Sequence, residues 1–160
     1  VLFPFIIGNL HLYYNDKKVK DGTVNPTFWS YNTGSVIEGS VLLYRFTKKE
    51  EYLREAQHAA KSTFDYYHSQ QHDPKLSMKI DLPWFVTVLF RGYQSLYTMD
   101  KNPKYIDAIH HDLDYAWQNG RDGNGFLSHD WTGNKKEIAK HKWLLDEACI
   151  AELYARLSEM

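Results

Sequence analysis

Gly39-Ser40-Val41-Leu42-Leu43-Tyr44 returns 53 residues later as Gly92-Tyr93-Gln94-Ser95-Leu96-Tyr97. The same shift carries Tyr52 to Tyr105, Leu53 to Ile106 and Phe64 to Trp117. Apolar and small residues recur at three- and four-residue spacing in both copies. Val36, Ile37, Ser40, Val41, Leu43 and Tyr44 make the first stripe, and Phe85, Val88, Leu89, Gly92, Tyr93 and Leu96 the second. That period belongs to an α-helix with a broad buried face, and its Ser and Gly positions admit a close neighbour. A more polar helix follows each stripe, at 51–70 and 104–118. The turns between are Thr47-Lys48-Lys49-Glu50 and Asp100-Lys101-Asn102-Pro103. Asp100 or Asn102 ahead of Pro103 reads as a cap with proline in the first turn. A third copy opens near Leu144 with Leu145, Ala148, Cys149 and Leu153. Helix pairs of this length cannot bury their faces alone and must stack on one another. The expectation is an all-α fold, an α/α toroid or solenoid of about 53 residues per pair, with residues 1–160 inside one domain.

Two segments break the helical pattern. Residues 9–29 hold the turn signals Asn15-Asp16, Asp21-Gly22 and Asn25-Pro26 between short aromatic runs, so any sheet belongs there. Residues 119–134 hold Gly120, Gly123, Gly125 and Gly133 with Asp130-Trp131. Both are long for plain connections, and both lead into inner helices whose starts face one end of the toroid. That end is where a ligand is expected.

Composition narrows the classes. The 160 residues carry 19 Lys+Arg against 20 Asp+Glu, so the basic field of a nucleic-acid binder is missing. No apolar run approaches the roughly 20 residues of a membrane span. The single cysteine, Cys149, excludes an internal disulfide and reads as core. The aromatic share is 16%, and aromatics supply both core area and faces on which sugars stack.

Candidate site residues follow from the mouth. Trp29, Tyr31 and Asn32 stand at the first inner helix, two rings beside an amide that both donates and accepts. Trp84 matches Tyr31 across the repeat, and Asp81 precedes it. The bland alternatives are a helix cap with a hydrophobic staple for the first group and an N-cap carboxylate for Asp81. Glu38 and Arg91 occupy equivalent inner positions and invite an ion pair. His110-His111-Asp112 and the His68, His72 and Asp73 group fall on the polar outer side, away from the mouth, so no metal is assigned. Asp146-Glu147 opens the third inner helix, where carboxylates complement the helix dipole.

Trp29-Ser30-Tyr31-Asn32-Thr33-Gly34, with the helix running on to Leu42-Leu43-Tyr44-Arg45, is similar to the Y-N-Q-G helix of glycoside hydrolase family 76. Phe85-x-Thr87-x-x-x-Arg91 resembles the family's F-K-G-I-F-x-R helix, with Val86 and Thr87 in place of its Lys and Gly. The loop with Asp130-Trp131 and Leu144-Leu145-Asp146-Glu147-Ala148 resemble the family's C-terminal end.

The resemblance implies an (α/α)6 barrel of the endo-α-1,6-mannanase kind, of which this chain is about the C-terminal half. It also implies a missing N-terminal half or self-association, α-mannan or a related glycan as substrate, no cofactor, and an extracytoplasmic location. Trp29, Tyr31, Asn32, Asp81, Trp84, Asp130 and Trp131 would form part of the substrate wall. The family's adjacent Asp-Asp pair has no counterpart, because Asp-Asp occurs nowhere in the sequence. No catalytic residue is assigned. The alternatives are a sugar epimerase on the same toroid, with His129 as the one mouth histidine, and a non-catalytic glycan-binding helical repeat.

Overall fold

A computed structural model describes residues 10–70, 73–79, 81–138 and 140–160. The opening apolar run Val1–Ile7 and His72 lie outside the described residues. A hairpin comes first, β1 (Tyr14–Lys17) and β2 (Val24–Phe28), followed by α1 (Ser30–Thr47), α2 (Glu50–Gln70), α3 (Pro83–Asp100) and α4 (Lys104–Asn119). A single turn, α5 (Lys135–Ile138), precedes α6 (Leu144–Ser158). These are two inner–outer helix pairs and a third inner helix, with the only sheet among the described residues confined to the segment where the turn signals lie.

The repeat extends to the way helices stop. α1 ends at Lys48 with φ 58°, and its N–H donates to Tyr44 O; α3 ends at Lys101 with φ 57°, and its N–H donates to Tyr97 O. A left-handed residue closing a helix in this way satisfies an orphan carbonyl. α3 starts with Pro83 in its first turn, and α2 starts with Glu50-Glu51 against the positive end of its dipole. The turn before α4 differs by one position from expectation. Pro103 stands just outside the helix, while Asn102 Oδ1 accepts the Lys104 N–H at 3.2 Å and Asp100 Oδ1 accepts the Asn102 N–H at 3.0 Å. α6 begins 61 residues after α3, the extra length lying in the loop that carries Asp130.

The core lies between the inner and outer layers. Ile37, Val41, Leu89, Phe90, Tyr93, Leu96, Ile109, Leu113 and Leu153 are fully buried there. α1 and α3 touch backbone to backbone. A Cβ on Gly34 would lie 2.5 Å from Leu89 Cα, and one on Gly92 would lie 2.5 Å from Gly34 O. On the other side of α3 the expected Glu38–Arg91 pair does not form. Arg91 Nε and Nη2 donate to Glu152 of α6 at 2.8 and 2.7 Å. α6 places a carboxylate within bidentate reach, and Glu38, one turn on from Gly34 in α1, reaches Arg91 only through its charge.

The hairpin is pinned to the helices by its rings. Phe28 meets Tyr66 of α2 edge-on at 5.3 Å, while within the hairpin Tyr14 stacks on Phe28 at 5.2 Å and Gly22, at φ 73°, closes the turn by donating to Lys18 O. Among the described residues no helix is long and apolar enough to cross a membrane.

Candidate functional site

The starts of α1, α3 and α6 lie at one end of the structure, each preceded by an extended residue: Trp29, Leu82 and Trp143. None of the three supplies a side-chain cap. The cap of α1 comes from the neighbouring loop. Asp81 Oδ2 accepts the Ser30 N–H at 2.9 Å, Oδ1 accepts Ser30 Oγ–H at 2.9 Å and the Leu82 N–H at 2.9 Å, and Tyr67 Oη donates to Oδ2 at 3.2 Å. Burial pushes the Asp81 carboxyl above the usual carboxylate range, against the pull of the bonds from Ser30, Leu82 and Tyr67. Asp81 is therefore a cap, as the bland alternative has it, but chiefly of the neighbouring helix.

Four of the sequence-predicted residues are brought together. The Tyr31 ring stacks on Trp84 at 5.6 Å and 19°, and Trp29 and Tyr31 meet Phe85 at 5.2 and 4.7 Å. Tyr31 Oη donates to Asn15 Oδ1 at 2.7 Å, tying the hairpin to this cluster. Asn32 Nδ2 and Trp84 Nε1 are buried donors with no acceptor among the described residues. Buried polar groups are nearly always paired in a folded protein, so each orphan asks for an explanation.

The remaining two lie across a cavity of about 730 Å³ lined by Asp81, Lys79, His129, Asp130 and Trp131 among others. Asp130 is half-buried and accepts the Thr132 N–H at 2.9 Å. Trp131 has 0% exposure and belongs to the core cluster, so in this structure it offers no face to a sugar. A Gly-rich loop can turn an aromatic inward as readily as outward, and the sequence pattern does not separate the two.

Sequence reasoning passed over Asp146. It is the third residue of α6, matching Asn32 in α1, and is only 6% exposed. Its Oδ1 has no hydrogen-bond partner, and burial pushes its carboxyl up while nearby His129 pulls it down. Helix-start chemistry accounts for a solvated carboxylate, not a buried one with an idle oxygen. The position, matched to Asn32 in helical register, was the signal available.

The profile of Glycosyl hydrolase family 76 matches residues 4–71. A family 76 glycoside hydrolase from a bovine Bacteroides thetaiotaomicron strain superposes with a TM-score of 0.83 at 29% identity, over 98% of this chain. The chain is thus similar to glycoside hydrolase family 76 in sequence over residues 4–71 and in fold over nearly its whole length. A family 76 mannosidase from Bacteroides thetaiotaomicron also gives 0.83 at 29% identity over 96% of the chain. A family 76 α-mannanase from the same species gives 0.72 at 26% over 92%. The chain spans 35%, 44% and 40% of these three family 76 relatives. The fold is thus part of an (α/α)6 toroid, like that of these family 76 structures. Among curated proteins, none matches the chain by sequence.

Proposed function

We propose that this chain forms one wall of the glycan-binding mouth in a family 76 glycoside hydrolase acting on α-mannan. One observation carries the reading. Asn32 Nδ2, Trp84 Nε1 and Asp146 Oδ1 are buried, unpartnered, and stand in the first turns of three successive inner helices. Two idle donors and an idle acceptor beside an aromatic cluster suit a ligand whose hydroxyls both donate and accept. Trp29 and Tyr31 supply ring faces, and Asp130 borders the adjoining cavity.

Hydrolysis of a glycosidic bond takes two carboxyl groups flanking it. Asp81 is committed to holding α1, and Asp130 accepts from its own loop. This wall therefore binds and orients, and the reading places the acid and the nucleophile outside these residues. The relatives described as mannosidase and α-mannanase support α-mannan as the substrate class. A polymeric glycan is met outside the cytoplasm, which is where the reading puts the protein.

Calorimetry with a linear α-1,6-mannotetraose tests the reading in the polypeptide that carries these residues. Leaving a buried partner unpaired typically removes about 1–3 kcal/mol, so Asn32→Ala and Asp146→Asn should each weaken binding roughly ten- to a hundredfold. If both variants bind the oligosaccharide as the parent does while their melting temperatures fall, the residues are structural and the reading fails.

A further inference from the structure

Two cavities beside Asp81 join into one groove. The larger, about 730 Å³, lies between residues 73–79 and the loop of Asp130. The smaller, about 340 Å³, lies where β2 ends against α2 and is lined by Phe28, Trp29 and Tyr66. Gln70, Lys79 and Asp81 border both. Trp29 also meets Phe85 in the aromatic cluster, so the groove opens off the mouth at that ring. Both volumes lie within the roughly 300–1,000 Å³ of small-molecule sites.

The groove leads away from the line of the mouth. The mouth runs across the starts of the inner helices α1, α3 and α6, whereas the bank 73–79 rests on the outer helices α2 and α4. The buried Asp112 carboxylate of α4 accepts the Ser77 and Met78 N–H groups at 2.6 and 3.2 Å, and the Lys79 N–H donates to Tyr67 O at 2.9 Å. The opposite bank is set by its own bonds. Ser128 Oγ–H donates to Asp130 O at 2.6 Å, the Thr132 N–H donates to Asp130 Oδ1 at 2.9 Å, and the Trp131 ring is locked in the core. Two loops fastened in this way keep the space between them open, and a preformed site pays little ordering entropy when it is filled.

Polar groups on these walls are not spent on the fold. Among the described residues the Gln70 amide, the Lys79 ammonium and the Thr132 hydroxyl have no hydrogen-bond partner, and Trp131 Nε1 is a buried donor without an acceptor. Such a set of donors, with an amide oxygen to accept, suits hydroxyl groups. Asp73, Asp81 and Asp130 outnumber Lys75 and Lys79 along the larger cavity, which turns away a phosphorylated or acidic sugar.

We infer that this groove is a subsite for a neutral side branch of the glycan, a mannosyl unit that leaves the main chain beside Trp29 and points outward over α2. The inference rests on the mouth being a glycan site, and adds to it a preference for branched over linear chains. A main chain following the three inner-helix starts does not enter the groove, whereas a substituent directed away from that line does.

Calorimetry on the same polypeptide compares three kinds of ligand. They are linear α-1,6-mannotetraose, the tetraose with one α-mannosyl branch at O2 or at O3 of an internal residue, and linear α-1,6-mannohexaose. One branched ligand should bind roughly tenfold more tightly than the linear tetraose, the gain expected of about two added hydrogen bonds. Gln70→Ala combined with Lys79→Ala should remove that gain while melting temperature and affinity for the linear tetraose stay as in the parent. Branched ligands that bind no better than the linear one, a double variant that weakens both alike, or a hexaose that gains as much as the branch would each overturn the inference. If the linear tetraose fails to bind while a branched ligand binds through Gln70 and Lys79, the mouth reading falls and the groove stands; if no ligand binds, both fall.

Discussion

α3 is held on its two sides by opposite means. Against α1 the contact is shape: two glycines bring the backbones together, and Ile37, Val41, Leu89 and Leu96 fill the space around them. Against α6 the contact is polar, running through Thr87, Arg91, Glu152, Arg156 and Gln94, with Arg91 and Glu152 40% and 29% exposed. A close-packed seam has no tolerance for added atoms, whereas a part-solvated ionic seam has geometry to spare and salt to screen it. The mouth shows the same division. At the first seam Asp81 uses both oxygens to fasten α1, and at the second Asp146 keeps one oxygen idle.

The sharpest way to break this contrast is a single methyl group. Gly34→Ala would place a Cβ 2.5 Å from Leu89 Cα and 2.6 Å from Val88 O, all backbone, so the helices must part. Overpacking of this kind costs about 3 kcal/mol, a fall of roughly 6–12 °C in melting temperature for a chain of this size. Gly39→Ala is the control, because its Cβ meets nothing and alanine favours a helix by up to about 1 kcal/mol. Equal effects of the two alanines in thermal unfolding would show that the glycine contact is not what holds the seam.

The two mouth carboxylates supply the next test. Asp81→Ala strips the acceptor from the Ser30 and Leu82 N–H groups and from Tyr67, and should destabilise by about 2 kcal/mol in urea unfolding. Asp146→Ala removes a buried carboxyl with an idle oxygen, so its effect should be under about 1 kcal/mol in either direction. A larger loss at Asp146 than at Asp81 would mean that Asp146 is a fastening and not part of an open wall.

These seams mark how far the sequence could be read. The 53-residue shift that pairs Tyr44 with Tyr97 carries helix order, the small residues at contact points and even the left-handed stops at Lys48 and Lys101, because each depends on local spacing. The partner of Arg91 did not follow from that shift. Equivalence under a repeat makes Glu38, Arg91 and Glu152 the ninth residues of three neighbouring inner helices and does not say which flanking carboxylate Arg91 takes; the distance decides for Glu152. At the mouth, Trp29, Tyr31, Asn32 and Trp84 cluster because each stands at an inner-helix start. Trp131 and Asp146 were harder, since whether a loop ring turns inward, or a first-turn carboxylate is buried, depends on what packs over it.

The smallest effect expected belongs to the ionic seam, and its sign is set by protonation. The bonds from Arg91 first, then those from Arg156 and the attraction of both cations, hold the Glu152 carboxyl below the usual carboxylate range. A carboxyl depressed in the folded state binds fewer protons there than when unfolded. Its contribution is therefore present above the unfolded value of about 4.3 and is lost as pH falls through the folded value. Because Arg91 is well solvated, the pair is worth about 1 kcal/mol or less. Glu152→Gln should thus lower stability by that amount at pH 7, by less in 1 M salt, and by almost nothing once pH has dropped below the folded value. Denaturant midpoints of parent and variant across pH 7 to 3 provide the check. Converging curves on acidification identify the α3–α6 seam as ionic, and a gap independent of pH and salt would mean that shape holds both sides of α3.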